Sequence, residues 1–278
     1  MLSKRVQGVF FTVGFYLVLN THTLSIDNNG PPLHLRTKEA ERTDPMPYIE
    51  GGDIVEGREF PWLASLRVGG FHFCGANILN SEWVLGMASC MFYGWDSYSV
   101  QVGSNTLDAG GTIHDVIKVV MHEEYNETNT WINDIVVLKV SPPIQMGDGV
   151  SPVVMVEQGE PAPEGGTHAV IAGWGSLQFP GPPANDLHKL EVQIVDHKKC
   201  EETYSPVPKK VIYSSQICVS GLVDGKDSTN GDSAAPLIVN EKVVGINSWG
   251  QIVGQVAWPN VYTNLAFYID WINEHIKE

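Results

Sequence analysis

From Ile49 onward the chain is a succession of short apolar runs, each closed by Gly, Pro, Asn or Asp, and this punctuation limits what it can fold into. The runs include Trp62 to Val68, Phe71 to Leu79, Val116 to Met121, Ile135 to Val140, His168 to Ala172, Leu187 to Val195 and Lys242 to Asn247. Such spacing predicts an all-β sandwich or barrel. Near the C-terminus the pattern changes. Apolar residues at Tyr268, Ile269, Trp271, Ile272 and Ile276, with charges between them, predict an amphipathic helix whose stripe faces the core. About 230 residues are ample for such a core.

The residues before Ile49 read differently. Lys4 and Arg5 precede an apolar run from Val6 to Leu19, followed by polar Asn20 to Thr23, the layout of a signal peptide over residues 1–23. A membrane anchor is the competing reading, but the run is short against the roughly 20 residues that span a bilayer. Leu24 to Tyr48, rich in Pro and charge and without periodicity, reads as a flexible pro-segment. Residues 49–278 remain as the folded domain, expected to be soluble and monomeric. The formal charge is -15, and from Ile49 onward 12 Lys and Arg stand against 28 Asp and Glu. That balance argues against nucleic acid and anionic membranes as partners, and permits a cationic protein without implying one. Four cysteines suit an oxidising, extracellular compartment; sequence alone allows them three pairings. No C-x-x-C or Cys/His cluster suggests a metal, and no cofactor is expected. Asn126-Glu127-Thr128 is a glycosylation sequon among polar residues, so Asn126 is expected to be exposed.

A series of segments then carries a family signature. It begins with Ile49-Glu50-Gly51-Gly52, Gly57 with Pro61 and Trp62, His72-Phe73-Cys74-Gly75, and Trp83-Val84-Leu85. It continues with Asn133-Asp134-Ile135, Ala172-Gly173-Trp174-Gly175, Asp227 to Leu237, Ser248-Trp249-Gly250 and Pro259-Asn260-Val261-Tyr262-Thr263. One such match is weak, but the ordered series at these intervals is specific. From Ile49 to the C-terminus the chain resembles the chymotrypsin/trypsin-like serine proteases, peptidase family S1. The resemblance implies two packed antiparallel six-stranded β-barrels, joined through Ser141 to Gly166, with a C-terminal helix. It also selects one cysteine pairing: Cys74 with Cys90 beside the catalytic turn, and Cys200 with Cys218 in the second barrel.

In this family a serine hydroxyl attacks the scissile carbonyl, an imidazole takes its proton, and a buried aspartate orients the ring. Carried over residue by residue, the resemblance makes Ser233 the nucleophile, Asp134 the orienting acid, and Gly231 and Ser233 the backbone amides of the oxyanion hole. The imidazole position lies in Leu85-Gly86-Met87-Ala88-Ser89-Cys90, and it holds Ser89. A serine hydroxyl does not accept a proton near neutral pH, so Ser233 is expected to stay an ordinary alcohol. His72, two residues before Cys74, is the best substitute base, although its structural hydrogen-bonding role is the favoured reading. His114, His122, His168, His188 and His197 have no motif around them and read as strand or surface residues. Ala234 and Ala235 replace paired glycines, and their Cβ atoms are expected to disturb the turn that aims the oxyanion amides.

The implied specificity pocket is altered too. Asp227, six residues before Ser233, occupies the position that binds a substrate Lys or Arg in trypsin-like enzymes. Ser248 and Gly250 keep the pocket segment, but Asn260 stands where the family has glycine and is expected to fill the space for the substrate side chain. The alternative is a relaxed loop that turns Asn260 outward. The family's bridge between the nucleophile segment and the pocket wall is missing, with Thr229 and Val253 at its two positions. Activation by cleavage before Ile49 would pair the new ammonium with Asp232. Tyr48 is not a site for a trypsin-like activator, Glu50 replaces the usual valine, and Arg42 lies too early, so the chain is expected to remain zymogen-like or to need an activator of aromatic preference.

These departures predict a secreted, catalytically inactive serine protease homologue that binds an extracellular protein: a protease, a cascade component or an inhibitor. The alternative is a weakly active endopeptidase cleaving after Lys or Arg. A storage or decoy-binding role is a third reading.

Overall fold

The computed structural model describes residues 52–176, 181–221, 233–250, 252–253 and 256–277. The expected signal peptide and pro-segment lie outside them. Six strands close the first barrel: β1 (Leu63–Val68), β2 (Phe71–Ile78), β3 (Trp83–Gly86), β4 (Tyr98–Val102), β5 (Thr112–Met121) and β6 (Val136–Ser141). Their spatial order is β1-β2-β3-β6-β5-β4, all antiparallel, with β4 returning to β1. The second barrel uses β7 (His168–Gly173), β8 (His188–Val195), β9 (Gln216–Gly221), β10 (Pro236–Val239), β11 (Lys242–Trp249) and β12 (Asn260–Asn264). Its order is β8-β9-β12-β11-β10-β7, closed by β7 on β8, and the short strand Asp53–Ile54 adds to β8.

Alternation decides which side chains point inward. Along β5, His114 and Val116 are buried while Ile113, Asp115 and Ile117 face out, as a strand with one wet face requires. β3 is instead buried along its whole length, which is why Trp83-Val84-Leu85 reads as a continuous apolar run. A single set of buried apolar contacts passes through both barrels, from Leu66 and Trp83 to Val243 and Tyr262. The connecting residues 142–167 are stitched to each barrel in turn: Val153 N donates to Ile78 O at 2.8 Å and Val156 N to Val243 O at 3.3 Å.

The expected C-terminal helix is present as α2 (Ile269–His275). Ile272 and Tyr268 are buried, and Ile269, Trp271 and Ile276 pack against the core. A second helix, α1 (His197–Tyr204), has no apolar stripe to announce it, because only Cys200 and Tyr204 turn inward. Its start is set by Asp196, whose side chain accepts from Lys199 N at 3.0 Å as an N-cap. Disulfides join Cys74 to Cys90 and Cys200 to Cys218, the pairing that the resemblance implied.

Candidate active site

Ser89 sits in a single 3-10 turn, Ala88–Cys90, that follows β3. The Cys74–Cys90 bridge ties this turn to β2. Asp134 enters from the loop before β6 and is wholly buried. The preceding Asn133 has φ of 58°, a left-handed conformation that asparagine tolerates better than most residues, and Tyr268 Oη holds its side chain by donating to Oδ1 at 2.9 Å.

The Asp134 carboxylate is surrounded by donors. Ser89 N donates to Oδ1 at 2.8 Å, and the hydroxyls of Ser89 and Ser248 both donate to Oδ2, at 2.8 and 2.7 Å. From the second barrel Thr263 Oγ1 also donates to the Asp134 carbonyl at 3.0 Å. Burial pushes the carboxyl pKa up to about 6, and the hydrogen bonds from Ser89 and Ser248 hold it back from rising further. The group that an imidazole would bridge is therefore satisfied by hydroxyls. The Ser89 proton is directed at Asp134, and this side chain carries a hydroxyl where an imidazole would offer a basic nitrogen.

Ser233 begins the turn into β10 and is half-buried. Its carbonyl accepts from Gly75 N at 2.7 Å, and its hydroxyl has no hydrogen-bond partner among the described residues. The next residue, Ala234, keeps a left-handed φ of 66° in spite of its Cβ. The turn is held from several sides: Ala234 N donates to Asn247 O at 2.9 Å and lies 3.0 Å from Met87 Sδ, while Asn77 Nδ2 donates to Ala234 O at 3.1 Å. Ala234 thus holds a left-handed backbone of the kind that glycine enters without steric cost.

Asn260, on β12, faces Gly250. A methyl group placed on Gly250 would lie 1.9 Å from Asn260 Oδ1, so the amide lies close against the Gly250 backbone, and Asn260 as a whole is half-buried. Beside it is an arrangement that no sequence motif announces. Lys210 Nζ lies 4.1 Å from the Trp131 ring centroid and 4.6 Å from that of Trp249, and burial lowers its pKa. Trp249 separates Ser248 from Gly250, so the lysine covers the strand that leads away from Asp134. Its loop is laced to that of Trp131 by Thr130 Oγ1 donating to Val211 O at 2.9 Å and Tyr213 Oη donating to Asn129 Oδ1 at 2.8 Å.

The histidines are engaged elsewhere. His72 Nδ1 is 2.8 Å from Ser65 Oγ, with its ring against Trp174. His114 is buried between Thr112 Oγ1 and Pro142 O, at 2.7 and 2.6 Å. His122 accepts from Glu124 N at 3.2 Å and packs on Tyr268 and Trp271 of the C-terminal segment. His188 Nδ1 donates to Asp186 O at 2.7 Å, His197 pairs with Glu201 at 3.6 Å on α1, and His168 lies exposed on β7. Asn126 is exposed, its Oδ1 accepting from Thr128 N and Oγ1 at 3.0 and 2.8 Å. Ile49, Asp227, Thr229, Gly231 and Asp232 lie outside the described residues, as does the side chain of Val253. Sequence reasoning named Ser89, Asp134 and Ser248 without the bonds that join them, and missed Trp131 and Lys210, which lie far apart in sequence and meet only in the fold.

The architecture and this site have counterparts among known proteins. The trypsin family model matches residues 49–272. A trypsin of the beetle Phaedon cochleariae is 31% identical over 259 residues, which span 92% of this chain and 98% of that protein. Neuropsin, a serine protease expressed in the limbic system of mouse brain, superposes with a TM-score of 0.72 at 30% identity, covering 81% of this chain and 98% of its own. The inactivated protease paralogue S-D1 of the scabies mite superposes with a TM-score of 0.75 at 26% identity, covering 82% and 97%. Two closed six-stranded barrels and a family-model match across nearly all of the folded residues lead to one conclusion: the chain belongs to the trypsin family of chymotrypsin-like serine proteases.

Proposed function

We propose that this chain is a secreted, non-catalytic member of the family that acts by binding an extracellular protein, as a regulator of a protease cascade. The observation that carries the reading is the hydroxyl of Ser89 closed onto Asp134 at 2.8 Å, at the position that the resemblance assigns to the imidazole. Without that base, the residual rate a triad scaffold supplies is on the order of a thousand to ten thousand fold over water. Asn260 against Gly250 supports the same reading, because the resemblance assigns position 260 a glycine that leaves room for a substrate side chain. The mite paralogue is described as inactivated, which gives the reading a precedent on this scaffold. Two disulfides suit an oxidising compartment and hence secretion.

A second reading, a weak endopeptidase cleaving after Lys or Arg, is favoured by the retained Ser233, Asp134 and Ser248 and by relatives that are named trypsins. A fluorophosphonate probe separates the two. The protein cleaved before Ile49 is expected to show no labelling, whereas robust labelling that disappears in Ser233→Ala would establish the enzyme.

A further inference from the structure

In the second barrel Asn260 lies against Gly250 and Lys210 lies over Trp249. On the first barrel, large rings stand exposed around the Cys74–Cys90 bridge. Phe92 and Tyr93 follow Ser89 directly beyond Cys90 and Met91, Phe73 precedes Cys74, and the Cys74–Cys90 bridge brings the two segments together. The Phe73 ring meets Phe92 at 6.5 Å and Tyr93 at 5.9 Å, both edge-on. Phe71 opens the same strand. Phe71 is 78% exposed, Phe92 70% and Tyr93 56%. Aromatic side chains gathered on one surface and left in water mark a place where another protein contributes the missing contacts.

Resting on the non-catalytic reading, we infer that this aromatic patch docks a protein partner whose surface presents arginine among apolar side chains. The two segments that build the patch, Phe71 to Gly75 and Ser89 to Tyr98, hold no Lys or Arg. They do hold Asp96, whose carboxylate lies 2.8 Å from where a Cβ on Gly94 would stand, at the rim beside Tyr93. The basic group of the adjoining hairpin, Arg67, spends its donors on Gly70 O, Gln101 Oε1 and Leu107 O, so it does not offset that carboxylate at the patch. The whole chain carries a charge of -15, which draws a basic partner in and repels a second copy of itself. Ring faces attract guanidinium groups, which shed water more readily than ammonium groups do, and apolar neighbours on the partner would cover what the rings leave exposed.

The test uses two probes: a capped octapeptide of alternating arginine and leucine, and its glutamate–leucine counterpart. Calorimetric titration is run on the full folded protein and on Phe92→Ser, Tyr93→Ser and the distant control Phe267→Ser, which replaces another half-exposed ring. All three substitutions are on exposed side chains, and recovery of both disulfide-linked peptides checks that each variant has folded. The arginine peptide is expected to bind the parent and Phe267→Ser alike, to bind Phe92→Ser and Tyr93→Ser tenfold more weakly or worse, and to lose affinity as salt is raised; the glutamate peptide is expected not to bind. Unchanged affinity in Phe92→Ser and Tyr93→Ser would overturn the proposal, leaving net charge as the sole attraction. So would equal binding of the glutamate peptide, or a dimer in sedimentation that Phe92→Ser abolishes. Fluorophosphonate labelling is read separately, so an active enzyme would be recognised as such whatever the peptides do.

Discussion

Asp134 is enclosed by three donors and faces no positive charge among the described residues, so its ionisation is the costly state of the site. Its pKa of about 6 in the fold lies above the usual 3.8, which means the folded protein binds this proton more tightly than the unfolded chain does. The sign follows: the stabilisation is fully present below about pH 4 and is lost as pH rises through about 6, a change of roughly 3 kcal/mol at about 1.4 kcal/mol per unit. Asp134→Asn removes the titration and keeps an acceptor oxygen. In urea unfolding, the parent is therefore expected to lose about 2 kcal/mol relative to Asp134→Asn between pH 4 and pH 7. A difference that grows in the opposite direction would mean that a cation compensates the carboxylate. The importance of this residue was legible in sequence, because Asn133-Asp134-Ile135 marks it. Its hydroxyl partners were not, since Ser248 carries no sign of pointing at residue 134. The same holds for Ala234: its departure from glycine was plain, but only the bonds from Asn77 and Asn247 explain why the turn keeps its left-handed backbone.

At the scale of elements, the strands with strong alternation or continuous apolar runs announced themselves, and those with polar residues inside did not. β12 starts and ends on asparagine and does not stand out from the loops around it, and β4, although Tyr98, Val100 and Val102 alternate with Ser99 and Gln101, keeps that pattern for only five residues and buries Gln101 as well. Helix α1 shows the same limit, because tertiary contact at two positions and a cap sufficed to form it. The loop that follows α1 is held by its own chemistry. Lys210 fixes it against Trp131 and Trp249, and nothing acidic lies within salt-bridge distance of its ammonium among the described residues. The attraction is that of a cation for aromatic faces, about 0.5–1 kcal/mol at a partly exposed site. Lys210→Ala is expected to lower unfolding free energy by about 1 kcal/mol and to change tryptophan emission, with Lys210→Met recovering part of the loss by restoring the stem. Equal stability of all three proteins would show that the loop is held by its hydrogen bonds alone.

For the whole molecule, the question is whether one substitution could return it to catalysis. Ser89→His would place an imidazole beside Asp134, where Ser89 now donates, but Asn260 would still occupy the space against Gly250. Misplacement of a substrate by about 1 Å can cost a hundredfold, so the single variant is expected to cleave Lys and Arg substrates at or near background. Ser89→His with Asn260→Gly, Thr229→Cys and Val253→Cys, and a basic residue at position 48, is expected to do better. Efficient turnover by the single variant, measured against a Ser233→Ala control, would show that the groove is open enough to work. The barrels themselves admit a different view of residues 89 and 134. Asp134 receives bonds from Ser89 in the first barrel and from Ser248 and Thr263 in the second, so it acts as a rivet through the seam. A rivet tolerates exchange of what it grips more readily than its own removal, since each gripped side chain surrenders one bond and the rivet surrenders all of them. Position 89 is therefore permissive to any small donor and position 134 is not, and a chain that has no more use for proton transfer would still be bound to keep the aspartate.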